Sequence, residues 1–120
     1  MAVEFNSNGY EWIRETLIRN SSIHIELQND NGNAIVRLPL SDSRVSWTHT
    51  QGNNPMELSV EINGSDSDIP LPVTIDQGVL FPNGSSTDSL GPVQSVSTTE
   101  LTQDADKATI KCPLEVPKIV

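Results

Sequence analysis

Apolar and polar residues alternate with a period of two along most of this chain, most clearly over residues 22–41. There SIHIELQ and AIVRLPLS flank NDNGN, whose Asn31-Gly32 pair suits the positive φ values of a type I′ turn. Centring the turn on those residues sets Leu27 opposite Val36, Ile25 opposite Leu38 and Ile23 opposite Leu40 on one side. Gln28 then opposes Ile35, Glu26 opposes Arg37 and His24 opposes Pro39 on the other. The expected hairpin has one dry face and one wet face, since a slip of one residue would carry the apolar set into water.

The alternation resumes over residues 43–50, with Val45, Trp47 and His49 on one face, and over residues 56–62, with Met56, Leu58, Val60 and Ile62. Antiparallel pairing across a polar loop at 51–55 brings Trp47 to Leu58 and Val45 to Val60. In residues 69–76, Pro70 and Pro72 lie opposite Leu71, Val73 and Ile75. Prolines donate no ladder bond, so this run is expected to begin as an edge strand. Runs at 79–82, 93–99 and 108–116 bring the strands to about eight, joined by the polar stretches 83–92 and 100–107. One segment has helical spacing instead: Tyr10, Ile13 and Leu17 make a stripe within residues 8–19. Asn8 and Glu11 suit a capping box, and Asn20 suits a left-handed stop. Trp12 lies on nearly the opposite side, beside Thr16, where a loop of its own chain covers it or another chain does.

These elements predict a mainly β fold: an antiparallel β-sandwich or flattened barrel with one N-terminal α-helix, in a single domain over residues 1–120. An extended arm (1–7) precedes the helix and an extended tail (113–120) ends the chain. With 4% aromatic and 19% charged residues, the core must come chiefly from Val, Ile and Leu on strands. The single cysteine, Cys112, excludes an internal disulfide, suits a reducing compartment and is expected to be a small buried apolar residue. The first residues show neither a basic start nor an apolar run, so no signal peptide or membrane span is expected. Asn20, Asn63 and Asn83 open glycosylation-like triplets that are read as turns.

Charge changes the picture by its placement. No Lys or Arg stands between Arg44 and Lys107, while Glu57, Glu61, Asp66, Asp68, Asp76, Asp88, Glu100, Asp104 and Asp106 all do, and these nine account for the whole net charge of −9. Such a surface does not displace counterions from phosphates, so no nucleic-acid partner is expected. Asp66 and Asp68 have the spacing of a calcium loop but lack the Gly and Glu that complete one. His24 and His49 sit in expected strands, no serine lies in a nucleophile elbow, and no Cys/His cluster has metal-ligand spacing. An enzyme is not expected, nor a cofactor or metal.

The C-terminal half resembles small tail- and fibre-associated structural proteins of tailed bacteriophages. The likeness lies in Val73-Thr74-Ile75 through Leu80-Phe81-Pro82, a polar loop, Leu90-Gly91-Pro92-Val93, and Pro113-Leu114-Glu115-Val116-Pro117-Lys118. A helix ahead of a first strand at 23–27 fits the same layout. The resemblance implies a virion component made in the host bacterial cytoplasm, without catalysis, in contact with copies of itself and other virion proteins. The contacts expected are Phe5 in the arm, Trp12, the edge strand near Pro70 and Pro72, and Pro113, Pro117 and Ile119 in the tail. The other readings the residues allow are a carbohydrate- or receptor-binding sandwich using Trp47 or the 83–92 loop, and an acidic inhibitor, which requires the acids of 57–106 on one face.

Overall fold

A computed structural model of the chain describes residues 5–19, 22–49 and 56–114. Helix α1 (Ser7–Arg19) begins one residue earlier than the stripe suggested. Its cap is Asn6, whose Oδ1 accepts from the Gly9 N–H at 3.0 Å and whose backbone carbonyl accepts from Tyr10. Asn8 therefore does not cap. Glu11 is committed to Arg14 and His49, so the expected box is not made. The stop expected at Asn20, the loop 51–55, the first four residues and the tail from 115 onward lie outside the described residues.

Seven strands follow among the described residues: β1 (His24–Gln28), β2 (Ala34–Pro39), β3 (Val45–Thr48), β4 (Met56–Asn63), β5 (Val73–Phe81), β6 (Gln94–Leu101) and β7 (Lys107–Leu114). They form two antiparallel sheets, ordered β2-β1-β5-β6 and β3-β4-β7. The chain changes sheet after β2, after β4 and after β6. Ile25, Leu27, Val36, Leu38, Ile75 and Leu101 from one sheet meet Leu58, Val60, Ile62, Ile110 and Cys112 from the other. This dry interface is the core of a sandwich. Truncating one of its fully buried aliphatics, such as Leu58, to alanine costs about 2–5 kcal/mol.

The first hairpin has the expected partners at Leu27–Val36, Ile25–Leu38, Glu26–Arg37 and His24–Pro39, and the Leu40 N–H bonds the Ile23 carbonyl. Its turn differs. Only Gly32 has a positive φ, 79°, so the turn is not type I′. The Asn29 carbonyl accepts from the Gly32 N–H, and the Asn29 Oδ1 accepts from the N–H groups of Asn31 and Asn33. That side chain starts the turn earlier than Asn31-Gly32 would, so the longer loop sets Gln28 opposite Ala34, and a bulge that skips Ile35 restores the expected register from Leu27–Val36 onward. The second hairpin pairs Trp47 with Leu58 and Val45 with Val60, as expected.

At β5 the strand begins later than expected. Pro70 and Pro72 precede the ladder, residues 73–75 pair with β6 alone and so open β5 as an edge, and only from Gln77 onward does β1 pair on its other side. Pairing simply starts once the chain has N–H groups to offer, at Val73. The runs at 69–76 and 79–82 also contribute to one strand. Between Ile75 and Gln77 the ladder breaks, one residue of β5 standing against three of β6, and the buried positions change parity from Ile75 to Gly78, so the sequence reads as two pieces.

The wet face expected of the first hairpin is closed as well. Glu26 and Gln28 are buried, and Arg37 ties the chain beyond β5 to their face. Arg37 donates to Glu26 Oε1 at 3.0–3.1 Å and to the carbonyls of Asn83 and Ser86, with its guanidinium 3.7 Å from the centre of the Phe81 ring. Gln28 Nε2 completes the cluster on Glu26 Oε2 at 2.6 Å.

Candidate interaction surface

At the end of the sandwich where β5 finishes, the sheets part around a cleft of about 750 Å³. Its floor is Gly78 and Cys112, which approach so closely that a Cβ at Gly78 would stand 3.1 Å from the Cys112 Sγ. Trp47 and Leu58 form one wall and Ile25 and Leu80 the other, while Leu17 of α1 and the segment 90–93 close the ends. The Leu90 N–H bonds the Leu80 carbonyl, which holds that segment beside β5 above the point where β6 pairs. Leu90 and Val93 are about half exposed at the rim, and the lining is mainly aliphatic. A sandwich end of this kind suits an apolar side chain or extended peptide better than a sugar, which needs polar groups around an aromatic platform. Trp47 is half-buried in the wall rather than displayed.

Burial pushes the Cys112 thiol up to about 11, so at neutral pH it is protonated and packs as a small apolar group.

The sequence-derived contact residues are scattered over the molecule. Trp12 is 66% exposed on the side of α1 away from Leu17. Phe5 is 57% exposed and leans on the Tyr10 ring, with centroids 5.9 Å apart. Pro70 and Pro72, both exposed, sit at the opposite end of β5 from the cleft. Pro113 lies in β7, an edge strand, opposite Glu57, and lines the cleft. Pro117 and Ile119 are outside the described residues. The structure brings Trp47 and the end of the 83–92 loop, which the sequence offered as alternative binding elements, together with Pro113 in this one cleft, while Leu17, Gly78 and Cys112 had no signal in the sequence.

The acidic stretch does not form a single face. Glu57 and Glu61 belong to β4 in one sheet, whereas Asp76 and Glu100 belong to β5 and β6 in the other. Several of its acids are engaged. Arg44 donates to both carboxylate oxygens of Asp68 at 2.8 and 2.9 Å, to both of Asp42 at 3.0 Å, and to Asp66 at 3.3 Å. In the loop that has calcium-like spacing, a guanidinium stands where a cation would. Its hydrogen bonds hold Asp42 and Asp68 below the usual carboxylate range, while those two acids, Asp68 foremost, hold Arg44 above its own ordinary value. Asp106 is lowered too, by the N–H groups of Thr102 and Gln103 that it accepts in its own turn.

A second polar cluster joins α1 to the sandwich. His49, just past β3, has a side chain only 3% exposed, with Nε2 at 2.9 Å from Glu11 Oε1 and 3.7 Å from Glu15 Oε1. Arg14 holds the other oxygen of Glu11 at 3.1 Å. The period-two reading put His49 in a strand face beside Trp47, and no sequence signal tied it to the helix.

Among the described residues no helix is long and apolar enough to cross a membrane. Comparison of the chain with protein-family models, with curated proteins and with solved structures finds no match.

Proposed function

We propose that this chain is a non-enzymatic structural subunit of a bacteriophage particle, in the tail or associated with the capsid, that works by joining neighbouring protein chains. The observation that carries the reading is a pair of separate apolar surfaces: the cleft with Leu90 and Val93 at its rim, and Trp12 on the far side of α1. A subunit built into a larger assembly needs two unlike contacts, whereas one self-complementary patch closes into a dimer. Trp is also among the residue types that most often anchor protein interfaces. The phage particle as the setting rests on the resemblance carried by residues 73–82, 90–93 and 113–118. The partners are then further copies of the chain and other virion proteins, with no role for nucleic acid, membrane or cofactor.

Light scattering on the tag-free chain after size exclusion, from micromolar to near-millimolar concentration, tests the joining role. The mass should climb above that of one chain, and Trp12→Ser and Leu90→Ser should each lower it. A single-chain mass throughout, unaffected by either change, rejects the reading. Quantitative mass spectrometry of purified particles tests the setting, since a structural subunit is present in fixed, many-copy proportion to the other virion proteins.

A further inference from the structure

We propose that Glu11, Glu15 and His49 form a binding site for a divalent transition ion of the zinc type, which fastens α1 to the end of β3. Glu11 and Glu15 are four residues apart on a helix, so their side chains stand one above the other on a single face. His49 meets that face from the sandwich. One ligand atom from each residue lies within 4.8 Å of both others. In a tetrahedral zinc site, with bonds of about 2.0–2.2 Å, neighbouring ligand atoms are about 3.3–3.5 Å apart. The distances of 2.9 and 3.7 Å from His49 Nε2 to the two carboxylates fall on either side of that spacing, so small side-chain rotations suffice.

The chemistry of the donors points the same way. One imidazole nitrogen with two carboxylate oxygens suits zinc and its first-row neighbours, while calcium and magnesium prefer oxygen alone. His49 is shielded from water at 3% exposure, and its Nδ1 has no hydrogen-bond partner, so Nε2 is the nitrogen given to this cluster. Arg14, whose guanidinium takes Glu11 Oε2, leaves Oε1 turned toward His49 and acts as the outer partner that ligating carboxylates ordinarily have. With three protein ligands, the fourth position is left for water or for a group from another chain.

Isothermal titration of ZnCl₂ into the tag-free chain tests this, with CaCl₂ and MgCl₂ as comparisons and CoCl₂ as a spectroscopic probe. One Zn²⁺ should bind per chain and raise the melting temperature, and Co²⁺ should give visible d–d absorption. Glu15→Gln should weaken Zn²⁺ binding at least about ten-fold, and His49→Gln should abolish the Co²⁺ spectrum, while His24→Gln changes neither. If His49→Gln does not fold, Glu15→Gln carries the test, because the Glu15 side chain is 38% exposed. No saturable uptake of Zn²⁺, uptake unchanged in Glu15→Gln, or equal binding of Ca²⁺ or Mg²⁺ overturns the proposal. None of these results bears on whether the chain self-associates, so this inference and the assembly reading fail separately.

Discussion

Among the described glycines, Gly64 has the least room. A Cβ there would run into the Gln103 carbonyl oxygen, and that backbone cannot retreat because the Gly64 N–H is bonded to the Asp106 carbonyl at 2.8 Å. Gly64→Ala should therefore cost about 1–3 kcal/mol or more in urea unfolding. Gly91→Ala, where nothing lies within 4 Å, should stay within about 0.5 kcal/mol of the parent. The sequence presents Asn63-Gly64-Ser65 as a turn but not as a close approach, because the Gln103 backbone it meets is brought there only by the β4–β7 pairing. The Arg44 cluster was equally hidden, since its three acids come from positions 42, 66 and 68. Asp42 and Asp68 are held below their ordinary value of 3.8, so their contribution to stability is present above that pH and is lost as the pH falls through their lower folded-state values. Arg44→Gln should lower the urea midpoint at neutral pH, and the gap to the parent should close as the solution is acidified below about pH 4.

Among the elements, the two hairpins were readable because alternation with one buried side admits a single register. β5 was not readable, since the break in its ladder at Asp76 changes which side chains face the core and a fixed period of two cannot follow it. The second burial of β1 was also invisible. Glu26 and Gln28 look like a solvated side, and nothing in the local sequence shows that Arg37, which holds Glu26, also bonds the backbone of residues 83 and 86. The limits of α1 were legible to within a residue or two, but the cap was misplaced because Asn6 and Asn8 are equally good capping residues. Asn6→Ala should reduce stability by about 1 kcal/mol, and Asn8→Ala much less, in paired thermal melts followed by far-ultraviolet circular dichroism. The reverse order would return the cap to Asn8.

For the whole molecule, the layers of the fold were predictable and the cleft was not. The mainly β character, the two hairpins and the source of the core follow from short alternating runs with polar breaks, whereas about eight strands were expected against seven among the described residues, and the division of the strands between the sheets had no signal. The cleft opens instead beyond the close approach of Gly78 to Cys112, and no local pattern encodes how such distant strands meet. β1 is covered on both faces and paired along its whole length on both edges, with core residues on one side and the Glu26–Arg37 cluster on the other. Its amide protons should be the slowest in the chain to exchange with deuterium, because solvent reaches them only when the β2-β1-β5-β6 sheet comes apart. Those of β3, an edge strand of four residues, should exchange much earlier. The protein would then open from its three-stranded side inward, leaving the first hairpin and β5 as its last ordered remnant.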